Sequence, residues 1–199
     1  MTDDEPHDGP RQSACAGARL MDRLFVAVEL PGVVREALSS VQDALKESHA
    51  RLTLVDPDII HITLKFIGDV PETHTSKIGE VLSRVKADPF PLHVRGIGGN
   101  NPRQPRVIWA RIDEGGKCGL LHAQIEDLLA PLGVKREDRA FRPHATVARV
   151  REFHPDLLER MRPFRDRDFG TGTVQGFTLK KSTLTPRGPI YQDVKEVRF

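Results

Sequence analysis

The chain has 199 residues, of which 38% are hydrophobic and 29% charged, enough for one substantial core or two small fused lobes. The 30 basic and 28 acidic residues leave a formal net charge of +2, which excludes a broadly basic nucleic-acid binder. The longest apolar run, near residues 24–30, is too short to span a bilayer, and no signal-peptide pattern precedes it, so we expect a cytoplasmic protein.

The first residues differ in composition from the rest of the chain. Residues 1–20 are rich in Asp, Gly, Pro and Ala and show no hydrophobic period, which predicts a flexible N-terminal tail. We expect residues 21–199 to form a single domain, with Met21 as a candidate functional start. Deleting the tail is then expected to leave activity intact.

The rest of the chain alternates short β-branched runs with stretches whose apolar residues recur every three to four positions, which is typical of α/β or α+β proteins. The elements are predicted in chain order as a strand at 24–30, a helix at 34–48, a strand at 59–67, a helix at 71–85, strands at 92–97 and 107–112, a helix at 117–129, a strand at 144–150, a helix at 155–161, and strands at 172–184 and 190–199.

The local signatures of several enzyme classes are missing. The segment at 96–98 lacks the third glycine of a dinucleotide fingerprint, and Gly116-Lys117 is followed by Cys118 instead of the Ser or Thr of a P-loop. No nucleophile elbow or HExxH sequence occurs. The 2 cysteines give neither a disulfide framework nor a CxxC metal spacing, which directs attention to the 8 histidines.

Two histidines share one local pattern, His-Ile-Thr-Leu at 61–64 and His-Ala-Thr-Val at 144–147. Each pattern lies in a predicted strand, where successive side chains point to opposite faces. The His and the Thr of each motif are therefore expected side by side on one face.

The first motif strand has a polar and an apolar face. His61, Thr63 and Lys65 are predicted on the polar face, where Lys65 is a candidate phosphate ligand or a solvated lysine. The opposite face is apolar and is predicted to be buried: Ile60, Ile62, Leu64 and Phe66.

Two such strands facing each other across a cleft suit acid-base chemistry on a phosphate ester. Imidazoles have an ordinary pKa of about 6.5, so one can act as base and the other as acid near neutral pH. Threonine hydroxyls can donate to the nonbridging oxygens of a phosphate without adding charge. A strained cyclic phosphodiester is a substrate that such a pair suits.

The order of the motifs resembles the 2H phosphoesterase superfamily, and most closely the RNA 2',3'-cyclic phosphodiesterase family, historically called 2'-5' RNA ligases. The resemblance runs from about Met21 to the C-terminus. Five segments carry it: Arg-Leu-Phe-Val-Ala at 23–27, His-Ile-Thr-Leu-Lys-Phe-Ile-Gly at 61–68, Pro-Arg-Val-Ile-Trp at 105–109, Phe-Arg-Pro-His-Ala-Thr-Val at 141–147, and Ser-Thr-Leu-Thr-Pro-Arg-Gly-Pro-Ile-Tyr at 182–191.

The resemblance implies a LigT-like α+β fold of two lobes, with two antiparallel sheets facing a central groove and helices on the outside. It implies hydrolysis of RNA 2',3'-cyclic ends to 2'-phosphomonoesters without metal or cofactor. We expect a monomer. His61 would donate a proton to O3' and His144 would accept one from water, while Thr63 and Thr146 hold the phosphate. Relatives also run a related reaction in reverse, joining RNA ends such as tRNA halves through a 2'-5' bond.

Some positions fit the family pattern less well. Arg149 resembles an arginine that contacts phosphate in relatives, but strict alternation places it opposite His144, so this role requires a β-bulge. The chain lacks an aromatic residue before the first motif strand and a Phe-Pro pair near 99–101, which leaves base stacking weaker or supplied elsewhere. Trp109 is expected in the core.

Two other interpretations remain open. A non-catalytic module of the same fold would use the histidines only to grip RNA or a nucleotide. A metal site would use His61 and His144 as ligands, but no third ligand has convincing spacing. The remaining histidines are expected on the surface or in loops: His7, His49, His74, His93, His122 and His154.

The small net charge conceals local basic segments. Residues 95–111 hold four arginines and no acid, residues 142–151 hold three arginines, and residues 176–191 hold Lys180, Lys181 and Arg187. These segments overlap the family-like ones, which predicts a basic groove for a phosphodiester chain.

Overall fold

The computed structural model describes residues 20–186 and 188–199, so the predicted tail at 1–20 lies outside the described residues apart from Leu20. The described residues form nine β-strands and four α-helices. The strands are β1 Met21–Glu29, β2 Arg51–Leu54, β3 His61–Pro71, β4 Phe90–Gly99, β5 Val107–Asp113, β6 His144–Glu152, β7 Asp168–Val174, β8 Gly176–Thr185 and β9 Gly188–Arg198.

The helices are α1 Gly32–Lys46, α2 Glu72–Leu82, α3 Lys117–Leu129 and α4 Asp156–Met161. Their apolar residues recur at helical spacing, so α1 and α3 each bury one stripe against the sheet. Each of these stripes contains one polar residue, Gln42 on α1 and Glu126 on α3. No helix in the described part of the chain has the length and apolar content needed to cross a membrane.

Every strand pair is antiparallel, and the pairing runs β7-β4-β5-β6-β3-β1-β8-β9, with β2 added to β6. Within the described residues, β3 and β6 share a single pair, Ile62 with Ala145. This pair divides the sheet into lobe A (β1, β3, β8 and β9) and lobe B (β2, β4, β5, β6 and β7). The predicted α+β class is confirmed, and the two predicted sheets are continuous through one residue pair.

Two helices cross from one lobe to the other. Helix α1 follows β1 of lobe A but packs against β6 and β7 of lobe B. Helix α3 follows β5 of lobe B but packs against β3 of lobe A, beside α2. One hydrophobic core therefore includes both helices and both lobes.

Two strand predictions are wrong in their bounds, and one strand was not predicted. The strand predicted at 172–184 is two strands, β7 in lobe B and β8 in lobe A, separated only by Gln175. Strand β3 continues through Gly68 to Pro71, since Gly68 adopts a φ of 89° where the register with β1 shifts. The short strand β2 has no counterpart in the prediction.

Candidate active site

The two motifs meet where β3 pairs with β6. Ile62 and Ala145, the paired residues, are fully buried on the helix side of the sheet. Their neighbours in each strand therefore face the other side, which we call the groove face. Because the strands are antiparallel, each motif histidine lies toward the threonine of the other motif.

The two motif histidines are held by the same local bond. His61 Nδ1 lies 2.7 Å from the carbonyl oxygen of Ile59, and His144 Nδ1 lies 2.8 Å from that of Arg142. A carbonyl oxygen only accepts hydrogen bonds, so each Nδ1 carries a proton and donates it. Nε2 is therefore the nitrogen that gains or loses a proton in each ring.

His61 has aromatic neighbours on the groove face of lobe A. Its ring centroid lies 5.1 Å from that of Phe25 and 5.5 Å from that of Tyr191. Nε2 lies 3.1 Å from the hydroxyl oxygen of Thr63. The imidazole and the hydroxyl are thus side by side, as the alternation of the strand predicts.

The environment of His61 makes it a stronger acid than a solvated imidazole. Burial of the ring lowers the pKa of His61, and the positive charges of Lys180 and His144 lower it further. The carbonyl of Ile59 and the carboxylate of Glu29 act in the opposite direction without outweighing the burial. The influence of His144 also means that the two imidazoles lie within electrostatic reach of each other.

His144 packs against the single tryptophan. The ring centroids of His144 and Trp109 are 4.8 Å apart, at an interplanar angle of 47°. Trp109 pairs with Thr146 across β5 and β6, so both side chains are on the groove face. The expectation that Trp109 belongs to the core is wrong, because this side chain is only half-buried.

A β-bulge follows the threonine of the first motif. Ala27 of β1 pairs with Thr63, whereas the preceding Val26 pairs with Lys65. Leu64 is therefore an extra residue in β3, and beyond it the two faces of the strand are exchanged.

The second motif carries the same irregularity. Trp109 pairs with Thr146, whereas Ile108 pairs with Ala148, which leaves Val147 as an extra residue in β6. Both bulges occupy the fourth position of the His-x-Thr-x motif. The two motif strands are thus alike in their local backbone as well as in their sequence.

The first bulge overturns the prediction for Lys65. Its side chain is only 2% exposed, and its ammonium bonds to the Glu126 carboxylate and to the carbonyl oxygen of Lys135, the latter at 2.7 Å. The carboxylate of Glu137 lies 3.7 Å away. Lys65 therefore does not share a face with His61, because the extra residue turns it into the core.

Phe66 lies on the face of β3 that was predicted for Lys65. The prediction that Phe66 is buried is wrong, since it is 63% exposed. Its ring centroid lies 6.2 Å from that of Phe25, which itself contacts His61. An exposed aromatic ring therefore borders the first histidine.

The second bulge turns Arg149 toward the groove face. Ala148 is buried and Arg149 is exposed, the reverse of what strict alternation predicts. Burial raises the pKa of Tyr191, and the charge of Arg149 acts against that effect, so Arg149 is near this lobe A residue. The bulge that the arginine prediction requires is present.

A cavity of about 290 Å³ lies beside His61. Lys180, in its wall, binds Glu29 at 2.6 Å and also the carboxylate of Asp193. Burial alone would lower the pKa of Lys180, but the hydrogen bonds to Asp193 and Glu29 raise it. Lys180 is thus charged, but two carboxylates balance its charge. It therefore adds less positive charge to the groove than its position in the sequence predicts.

A cluster of metal-ligand side chains occurs elsewhere. Among the described residues, one group of three has suitable spacing, His49, His154 and Asp156. Both imidazoles bond to the Asp156 carboxylate, at 2.6 and 2.7 Å. His61 and His144 do not belong to this cluster.

Sequence reasoning missed the neighbours of His61. Phe25, Tyr191 and Lys180 come from β1, β9 and β8, which are distant from β3 in the sequence. Phe25 and Tyr191 lie within segments that carry the family resemblance, and this was the available signal. Their position beside His61 could be predicted only with knowledge of the strand order of the sheet.

The sequence matches the family model described as LigT like Phosphoesterase over residues 28–109 and 114–191. A protein of Archaeoglobus fulgidus named RNA 2',3'-cyclic phosphodiesterase is 39% identical over 176 residues, which cover 87% of this chain and 98% of the relative. A Thermus thermophilus protein of the same name is 36% identical over 179 residues, covering 85% of this chain and 86% of the relative.

Solved structures have the same fold. The crystal structure of TT0787 of Thermus thermophilus matches with a TM-score of 0.70 and 32% identity, over 88% of this chain and 97% of that one. The structure of E. coli LigT complexed with 3'-AMP matches with a TM-score of 0.73 and 23% identity, over 90% of this chain and 99% of that one. The chain belongs to the LigT-like phosphoesterase family.

Proposed function

We propose that this protein hydrolyses 2',3'-cyclic phosphodiester ends of RNA to 2'-phosphomonoesters. The observation that carries the proposal is the pair of imidazoles whose Nδ1 atoms are fixed by carbonyl groups, each beside a threonine, on either side of one strand pair. The name of the A. fulgidus relative, RNA 2',3'-cyclic phosphodiesterase, supports the same substrate.

The proposed reaction uses Nε2 of each histidine. Water attacks phosphorus and gives a proton to His144 Nε2 while the bond from phosphorus to O3' breaks. O3' takes a proton from His61 Nε2, which the lowered pKa of His61 makes a stronger acid. His61 then regains and His144 releases a proton through solvent before the next turnover.

The two threonines would hold the phosphate during this reaction. The hydroxyls of Thr63 and Thr146 donate to the nonbridging oxygens, which keeps the phosphorus between the two imidazoles. Arg149, which the second bulge turns to the groove face, would bind a phosphate oxygen of the substrate. Exposed Phe66 offers a stacking surface for a base, which the missing family aromatics do not supply.

The catalytic set comes from one chain. His61, Thr63, His144 and Thr146 all lie on the groove face of the same molecule, which supports a monomer as the active form. We further propose a cytoplasmic site of action, where the protein would meet its RNA substrate.

The direct test is hydrolysis of 2',3'-cyclic CMP and of a short RNA with a cyclic end, followed by phosphorus NMR of the product. We expect a 2'-phosphomonoester. A 3'-phosphomonoester would contradict the assignment of O3' as leaving group. Binding of the cyclic nucleotide without any product would contradict the enzymatic function and favour a non-catalytic module.

The pH dependence of kcat/KM tests the role of His61. Burial disfavours the charged imidazolium, so His61 loses its proton at a lower pH than a solvated histidine. A proton donor with a lowered pKa makes kcat/KM fall as pH rises, and the fall begins below the ordinary histidine pKa of about 6.5. We expect an optimum on the acid side of pH 7, measured between pH 5 and 9.

Lys180 provides a matched check of this profile. Its charge lowers the pKa of His61, so Lys180→Met should move the alkaline fall in kcat/KM to higher pH. Lys181→Met is the control, because Lys181 binds Asp22 and, as the next residue of β8, points to the opposite face of the sheet. A shift to lower pH in Lys180→Met, or equal shifts in both variants, would contradict the assignment.

A further inference from the structure

The two bulges have partners that the proposed reaction does not use. The carbonyl oxygen of Leu64, the extra residue of the first bulge, lies 2.8 Å from His122 Nδ1. The carbonyl oxygen of Val147, the extra residue of the second, accepts a bond from Gln42 Nε2 at 2.9 Å. Each bulge carbonyl is therefore bound by a side-chain donor from a helix.

These donors lie on the two helices that cross between lobes. His122 is on α3, which packs behind β3, and Gln42 is on α1, which packs behind β6. His122 is half-buried, so the expectation that it is a surface or loop residue is wrong, and Gln42 is 4% exposed. A polar side chain on a buried stripe requires partners, and Gln42 Nε2 has two, the bulge carbonyl of Val147 and the carbonyl of Val55 at 2.5 Å. The Val147 carbonyl also accepts a bond from the backbone N–H of Val55 at 3.1 Å.

His122 also contacts the approach to the second motif. Its ring stacks on Phe141, with centroids 4.7 Å apart and planes 16° apart. Phe141 is followed by Arg142, whose carbonyl oxygen accepts the Nδ1 proton of His144. One side chain of α3 thus contacts the bulge of the first motif and the segment that orients the histidine of the second.

We propose that His122 and Gln42 are positioning residues that hold the two bulges in register and so aim His61 and His144 at the substrate. This inference rests on the proposed function. The strands β3 and β6 share one residue pair, so their own hydrogen bonds do little to set the distance between the motifs. A bulge that moves by one residue turns the adjacent side chains to the opposite face.

Two variants of His122 distinguish the contribution of its hydrogen bond to Leu64 from that of its stacking on Phe141. His122→Asn keeps a donor near the position of Nδ1 and loses the stacking on Phe141. His122→Phe keeps a ring and leaves the Leu64 carbonyl without its donor. We expect kcat to fall about 10- to 100-fold in His122→Phe, with KM changed less than about threefold, and to stay within about threefold of wild type in His122→Asn.

Gln42 has its own matched pair. Gln42→Met keeps the length of the side chain and removes the donor to the Val147 and Val55 carbonyls, so kcat should fall as in His122→Phe. Gln124→Met is the control, since Gln124 Nε2 donates to a carbonyl of Lys86, away from both motifs. All rates are compared at a temperature where circular dichroism shows each variant to be folded.

A second readout does not depend on turnover. In the folded variants, imidazole nitrogen NMR shifts of His61 and His144 should change in His122→Phe and Gln42→Met but not in Gln124→Met. Unchanged kcat and unchanged shifts would overturn the proposal. A loss of kcat in His122→Asn with wild-type kcat in His122→Phe would also overturn it, because that pattern would assign the effect to the ring. An inactive wild type would refute the proposed function, and the NMR shifts would still decide the positioning role.

Discussion

His61→Ala and His144→Ala should each lower kcat about 10²- to 10⁴-fold, because each removes one of the two groups that move a proton in the reaction. KM should change far less, since the threonines and Arg149 would still bind the phosphate. The measurement is steady-state hydrolysis of 2',3'-cyclic CMP by each variant, purified in the same way as wild type.

The matched control is His74→Ala, because His74 is an exposed residue of α2 away from the motifs. It should retain wild-type kcat. The double variant His61→Ala/His144→Ala should lose little more than either single variant, since the two groups act on one transition state. Full turnover in both single variants would remove the histidines from the mechanism and point to a contaminating enzyme.

Lys65→Met should destabilise the fold without weakening substrate binding. The substitution leaves the Glu126 carboxylate buried without its cation, and breaking a buried ion pair in this way costs about 3–5 kcal/mol. Urea denaturation followed by circular dichroism should show this loss in the free energy of unfolding. KM for the cyclic nucleotide should stay near the wild-type value where the variant is folded.

The control for this substitution is the double variant Lys65→Met/Glu126→Gln. The change Glu126→Gln removes the buried charge and keeps an acceptor for the backbone N–H of Glu137, so much of the lost stability should return. A variant Lys65→Met of wild-type stability with a strongly raised KM would restore Lys65 as a phosphate ligand.

The period of the apolar residues predicted the helices and the motif strands. Helix α3 matches its predicted bounds, because its apolar residues keep one stripe between a glycine pair and a proline. His61, Thr63, His144 and Thr146 are on the predicted face for a similar reason, since they precede the bulges. Local periodicity is sufficient to predict an element and its buried face wherever the backbone is regular.

The two bulges could not be predicted from the local sequence pattern. Nothing in Leu64 or Val147 distinguishes them from other strand residues, and an extra residue is visible only in the register with the neighbouring strand. The faces of Lys65 and Phe66 were therefore exchanged in the prediction. The division of residues 172–184 failed for a related reason, because Gln175 is not a turn residue and the two strands differ only in their partners.

Fewer basic side chains contribute charge to the groove than the sequence predicts. Arg149 reaches the groove face, but Lys180 is neutralised by two carboxylates and Arg111 is bound by Asp166. Arg187 lies outside the described residues. Of these residues, Arg149 is the one placed on the groove face, close to the second motif, where it would bind a single phosphate.

The crossed helices bear on how the protein acquires its structure. Each lobe contains strands from both halves of the chain, and a helix that follows a strand of one lobe packs against the strands of the other. Neither lobe can complete its core while the other is unfolded, so the two lobes should form and melt together as one cooperative unit. The proposed phosphate site, which draws on both lobes, would then form only when both lobes have folded.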